Sequence, residues 1–112
     1  MNFSPELKKE VEDFLKDFRD GSKPYLVIEE REKNDDFFIR SNISREEIEE
    51  ILLKQLSYRH YRKGPEPEQN LNHPQGVIYF FEYPWESYRI YIKLKVFYHV
   101  NTKLGICLSF HD

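Results

Sequence analysis

Hydrophobic positions along this chain change period part-way. In the first half they recur at helical spacing: Leu7, Val11, Phe14, Leu15 and Phe18 form one stripe, the mark of an amphipathic helix. Ser4 suits the N-cap, Pro5 the first helical position and Gly21 the stop. Residues 24–30, P-Y-L-V-I-E-E, predict a short strand with a β-branched centre. The stretch R-E-K-N-D-D-F-F-I-R suits either a turn plus a strand or one short helix capped at Asn34, with the helix preferred. A further helix is predicted over 45–57. Ser44 and Glu47 make a capping box, Ile43 and Ile48 a hydrophobic staple, and Ile48, Ile51, Leu52 and Leu56 a buried stripe.

After a stretch rich in Pro, Gly and Asn that predicts a long loop over 57–76, the period becomes two. Strands are predicted over 77–82, 88–100 and 104–111, with N-T-K-L-G as the last hairpin turn. In the longest one, Y-R-I-Y-I-K-L-K-V-F-Y-H-V, Tyr88, Ile90, Ile92, Leu94 and Val96 face a core. Arg89, Tyr91, Lys93, Lys95, Phe97 and His99 take the other face. In the final strand Leu104, Ile106, Leu108 and Phe110 share one side, and Gly105, Cys107, Ser109 and His111 the other. The whole predicts a single α+β domain over 1–112, with two N-terminal helices packed on an antiparallel sheet.

Composition changes this picture in three ways. The 112 residues, 39% of them hydrophobic and 16% aromatic, suffice for one core rather than a disordered chain. No apolar run is long enough to span a bilayer, and Met-Asn-Phe-Ser-Pro-Glu lacks the pattern of a signal peptide. With a lone cysteine, these features predict a cytoplasmic protein without membrane association. The net charge of −3 is also unevenly spread: residues 1–56 hold 15 acids against ten Lys and Arg, whereas 57–112 hold five against seven, and all four histidines. A bipolar surface of this kind can offer one side to a polyanion, although a solvated charge split has the same signature.

The candidate chemistry lies in the basic half. Lys93 and Lys95 stand roughly 7 Å apart on one strand face, and pairing with the final strand would set them over small Gly105, Cys107 and Ser109, with His111 at the far end. Arg59, His60, Tyr61, Arg62 and Lys63 would form a wall. Cations for phosphates and tyrosines for stacking suit single-stranded nucleic acid. Tyr, His, Lys and Arg can also fill the base, acid and charge-stabilising roles of RNA cleavage without a metal. The histidines show no metal-ligand spacing, and no phosphate-binding glycine loop is present.

The tail Y-I-K-L-K-V … G-I-C-L-S-F-H resembles the last two strands of the MqsR-type toxins, mRNA interferases with a RelE-like fold usually encoded beside an antitoxin. The upstream order of helix, short strand, R-x-K-N with F-F, helix, basic-aromatic segment with G-P and aromatic strand is similar as well. The resemblance implies an endoribonuclease acting on mRNA, held in check by a cognate antitoxin and needing no cofactor. Carried over by position, it implies catalytic roles for Tyr91, Lys93, His111 and Arg62, and RNA contacts from Lys95, Arg89, Lys63, Tyr61 and Arg59. Two departures stand out: His111 replaces a lysine, and the family's polar position on the preceding strand falls among aromatic Tyr79, Phe80 and Phe81. A non-catalytic RNA-binding module and an immunity-type protein-interaction domain are the alternatives.

Overall fold

The computed structural model describes residues 3–73 and 75–112, apart from the side chain of His99, whose expected place on the polar face thus lies outside what is described. The chain is α+β, with three helices and a five-stranded mixed sheet. Helix α1 (Pro5–Gly21) starts as its sequence dictates: the Leu7 amide donates to the Ser4 hydroxyl at 3.1 Å, with Pro5 in the first turn. Its stripe of Val11, Phe14, Leu15 and Phe18 is buried. Full burial of each such side chain contributes about 1.5–3 kcal/mol.

Strand β1 is only Val27–Ile28, and α2 (Glu32–Ser41) follows it. The helix exists as preferred, but Asn34 is not its cap. Arg31 occupies that position, and Asn34 is wholly buried one turn in. Helix α3 (Arg45–Glu50) carries the expected capping box, with Ser44 and Glu47 bonding each other's backbone amides at 3.0 Å. It then widens into a π-helical turn over Ile51–Gln55, ending two residues before the predicted stop. Arg19 of α1 caps this end, donating to the carbonyls of Leu52 and Leu56 at 3.3 and 2.7 Å. A long-range guanidinium does here what a C-terminal glycine does elsewhere.

The remaining strands are β2 (Tyr61–Pro67), β3 (Val77–Trp85), β4 (Tyr88–His99) and β5 (Thr102–His111), in the sheet order β1-β5-β4-β3-β2. The expected long loop is therefore about a third strand, because the seven residues Tyr61–Pro67 pair with β3 through two register shifts. Gly64, at φ +124°, sits where a Cβ would meet the Ile78 carbonyl at 2.8 Å, so this irregular edge requires glycine. The sheet is mixed rather than antiparallel: β1 runs parallel to β5, and the other neighbours are antiparallel. The β4–β5 turn is the pair Val100–Asn101, both at positive φ, ahead of the predicted N-T-K-L-G.

One core joins the helices to the sheet. Val11, Leu15, Phe18, Phe37, Ile48 and Leu52 meet Tyr79, Phe81, Ile90, Ile92, Leu94, Val96, Cys107 and Phe110. Gly105 allows α1 to lie directly on β5, since a Cβ there would come within 2.7 Å of the Phe18 carbonyl. Gly105 and Cys107 thus face the core, opposite Val96 and Leu94, which corrects their expected place beneath the lysines.

The reason is a bulge. Lys93 pairs with Ser109 and Leu94 with Cys107, leaving Leu108 as an extra residue that reverses the facing of β5. Before it, Leu104 and Ile106 share the lysine face; after it, Ser109 and His111 do. Asn34 clamps this step. Its amide group donates to the carbonyls of Leu108 (3.2 Å) and Glu29 (3.0 Å), and its carbonyl accepts from the Phe110 amide at 2.8 Å. A buried side chain continues the ladder where β1 stops.

Candidate active site on the outer face of the sheet

The face of β4 opposite the core carries three cross-strand ranks. Glu82, Tyr91 and His111 form the first, Phe80, Lys93 and Ser109 the second, and Ile78, Lys95 and Ile106 the third. Strand β2 adds Lys63 beside Phe80 and Glu66 beside Ile78. Residues opposite one another point to the same side, their Cβ atoms about 4.5–5.5 Å apart. Arg62, Lys63, Phe80, Glu82, Tyr91, Lys93, Ser109 and His111 line an open cleft of about 390 Å³ over the first two ranks.

Every catalytic residue implied by the resemblance lies in this cleft: Tyr91, Lys93, His111 and Arg62. Tyr91 is half exposed. His111 is held at the end of β5 by its neighbour Asp112, whose carboxylate takes two bonds from Arg40 at 2.7 and 3.3 Å. Those bonds hold the Asp112 carboxyl below its ordinary range. Arg40 also bonds Asp36 on α2, so the end of β5 is tied to that helix, and Nδ1 of His111 lies 3.0 Å from the Asp112 carbonyl.

The sequence reading missed Glu82. It lies directly across from Tyr91, little exposed, with Arg89 at 3.0 Å and Arg62 at 3.6 Å from its carboxylate oxygens. Its one signal in the sequence is an acid closing the aromatic run V-I-Y-F-F-E. Only the register puts it beside a tyrosine, with a histidine on that tyrosine's other side.

The implied RNA-binding residues divide. Lys63 lines the cleft, 4.4 Å from the centre of the Phe80 ring, and pairs with Glu66 at 3.3 Å. Arg89 stands at the rim on Glu82. Tyr61 turns to the core side, its ring 6.1 Å from that of Tyr79 and its hydroxyl donating to the Gly64 carbonyl. Arg59 lies apart on the turn Tyr58–His60, 6.0 Å from the Tyr58 ring centre. His60 is no wall either: its Nδ1 accepts from the Ser57 amide at 3.0 Å, and burial lowers its pKa.

Lys95 is the clearest displacement. Only 3% exposed, its ammonium is bound by Glu68 from the segment that follows β2. The Lys95 hydrogen bond, with a second from the Asn70 amide, lowers the Glu68 carboxyl from 4.5 to about 2. Arg62 and Arg89 likewise share Glu82, Lys63 has Glu66, and Arg31, further along the same face, has Glu29. Among the described residues, Lys93 alone of these cations has no carboxylate partner.

An ordinary polyanion track would leave many charges free. This face neutralises itself except at one lysine beside a Glu–Tyr–His row, so it fits one phosphate at a defined point better than a long backbone. Among the described residues, no group of three or more His, Cys, Asp and Glu is placed to hold a metal ion, and no helix is long and apolar enough to cross a membrane. Comparison with protein-family models, with curated proteins and with solved structures finds no match to this chain.

Proposed function

We propose that this protein is an endoribonuclease of the mRNA interferase kind, a RelE-like toxin acting in the cytoplasm and restrained by a cognate antitoxin. The observation that carries this reading is the Glu82–Tyr91–His111 row beside unpaired Lys93 in an open cleft. It is supported by the resemblance of the Y-I-K and S-F-H segments.

In the proposed reaction, a base removes the proton from the 2′-hydroxyl, and O2′ attacks the adjoining phosphorus. The P–O5′ bond breaks, and an acid protonates the departing O5′. The products are a 2′,3′-cyclic phosphate and a 5′-hydroxyl. Glu82 and His111 stand at opposite ends of the row, two strand spacings or about 9–10 Å apart, so each can reach one side of a phosphate held between them. Lys93 and Arg62 stabilise the charge developing on phosphorus, and Tyr91 positions the phosphate or relays a proton.

The test is inducible expression of wild type beside Lys93→Ala, Tyr91→Phe, His111→Ala and Glu82→Gln, following growth and mRNA integrity together. Growth arrest with cleaved mRNA, relieved by the variants at equal soluble expression, is the expected result. Normal growth and intact mRNA from well-expressed, folded wild type would overturn the reading.

A further inference from the structure

On the core side of the sheet, α1 lies across β5 and β4 and leaves the Val77 end of β3 uncovered. An open groove of about 270 Å³ runs along this boundary. Its floor is apolar, made by Phe14 of α1 with Val77, Tyr79, Val96 and Tyr98 of β3 and β4. Val77 is 41% exposed and Tyr98 64%, although alternation puts both on the side of the sheet that holds buried Tyr79 and Val96. The wall is acidic. Glu10, Asp13 and Asp17 line it from α1, because steps of three and four residues keep them on one helix face.

Acceptors remain unused in this groove. The ion pairs of α1 are Lys8–Glu12, Lys9–Asp13 and Lys103–Asp17, so among the described residues Glu10 has no cation partner. Lys9 and Lys103 bond Oδ2 of Asp13 and Oδ1 of Asp17 at 2.8 and 2.7 Å, and the second oxygen of each carboxylate takes no bond there. Tyr79 is an independent case. It is only 5% exposed, yet among the described residues the tyrosine hydroxyls that make hydrogen bonds are those of Tyr61 and Tyr83. No side-chain oxygen is both enclosed and unpartnered, so the Tyr79 oxygen opens onto the groove that its residue lines. Burial raises its pKa, and nearby Glu10 adds to the effect. A buried hydroxyl normally has a partner, and the groove is where this one can take it.

We propose that this groove binds a linear aliphatic polyamine, its methylenes on the apolar floor and its ammonium groups on Glu10, Asp13 and Asp17, with the Tyr79 hydroxyl accepting from one of them. Along a helix axis the three carboxylates follow one another at about 4.5 and 6 Å. Ammonium groups joined by three or four methylenes lie about 5 and 6 Å apart when extended. A divalent metal ion needs oxygens converging on one point, whereas these are strung over about 10 Å of helix. The exposed Tyr98 ring adds attraction for a cation. The groove lies on the opposite side of the sheet from the Lys93 cleft, so the site does not depend on the ribonuclease reading.

The experiment titrates spermidine into the full-length protein, following backbone amide NMR signals. Butylamine and hexaamminecobalt(III) serve as controls; the latter carries the same triple charge without a carbon chain. Spermidine should move Glu10, Tyr79, Val96 and Tyr98 in one saturable event and bind about tenfold or more tightly than either control. Glu10→Gln should weaken it about tenfold and Tyr79→Phe several-fold, each in a protein whose spectrum is otherwise unchanged. Glu46→Gln, on α3 outside the groove, should leave binding as it is. Equal affinity for hexaamminecobalt(III), shifts spread over the acids of α2 and α3, or an affinity that neither Glu10→Gln nor Tyr79→Phe alters would overturn the site. A lysine-rich peptide moving the same signals while spermidine does not would overturn it in favour of a protein-binding groove.

Discussion

Lys93 and Lys95 stand two residues apart on one strand, on one face, yet they have opposite fates. Lys93 is half-buried in an open cleft, 5.4 Å from the Phe80 ring centre and without a carboxylate partner among the described residues. Lys95 is covered, paired with Glu68 and enclosed above an apolar floor. The difference lies in what crosses above. The chain leaving β2 brings Glu68 and Asn70 over the face, where Glu68 pairs with Lys95 of the third rank and lies beside Lys93 of the second without pairing with it; a Cβ on Gly76 would touch Phe97 and Lys95 at 2.9 and 3.1 Å. A buried ion pair resists separation because each charge would lose its partner in a poor solvent. A half-exposed lysine keeps its charge available to a ligand. Position on a strand face therefore does not assign function to a cation; its cover and its counter-ion do.

The largest expected effect breaks the comparison along its length. If the cleft is the proposed ribonuclease site, substituting a residue proposed for proton transfer, as in Glu82→Gln or His111→Ala, should slow cleavage of a single-stranded RNA oligonucleotide by about 10²–10⁴-fold. Lys93→Met should lower the rate far more than Lys95→Met at equal folded concentration. Equal losses from the two lysines would mean that both ends of the face handle the phosphate.

Next comes the bulge that sorts β5. Asn34→Ala leaves the Leu108 carbonyl and the Phe110 amide without their partner in the core, at a cost of about 2–6 kcal/mol in urea unfolding, since each stranded buried group costs about 1–3. Activity should fall along with stability, because the step that turns Ser109 and His111 outward is what Asn34 bonds. A loss under 1 kcal/mol with full activity would show that the bulge holds itself.

Cys107 reports the same sorting from the other side. It is wholly buried and its thiol is pushed up to about 12 by desolvation, so the native protein should react with a thiol reagent at least about a hundredfold more slowly than the unfolded chain. Rapid labelling would put Cys107 on the outer face and refute the register.

The smallest effect lies at the closed end. Glu68 titrates near 2 in the folded protein against an ordinary value of 4.5, so its contribution to stability is fully present above about pH 4.5 and fades as pH falls through 2. The stability difference between wild type and Glu68→Gln should be constant near neutrality and shrink in acid. A difference independent of pH down to 2 would mean that the Lys95 pair does not stabilise the fold.

Much of this protein follows from local chemistry. Ser4 and Pro5 start α1, the Ser44–Glu47 box starts α3, and the alternation in Y-R-I-Y-I-K-L-K-V fixes which residues of β4 face the core. These features depend on neighbours within a few positions, which a sequence displays. The cleft was legible in part for the same reason: Tyr91, Lys93, His111 and Arg62 sit on strands or at their margins, and alternation aims two of them. Glu82 was not legible, since its role comes from the register between β3 and β4 rather than from any adjacent residue.

What tertiary structure alone decided concerns pairings across long stretches of chain. Asn34 reads as a helix cap because asparagine commonly serves as one; 74 and 76 residues away, β5 offers it a better use. Tyr61 and Arg59 read as a basic-aromatic wall, but the edge pairing of β2 sends one to the core and the other aside. Gly105 and Cys107 read as the floor of a trough until a single extra residue reverses the facing of their strand. The sequence by itself determined the periods, the caps and the core stripe, because torsional preference and apolar burial act residue by residue. The bulge, the Lys95–Glu68 closure and the Glu82–Tyr91–His111 row were decided only by the folded whole, because each is a contact that chain connectivity permits in several registers and that packing fixes in one.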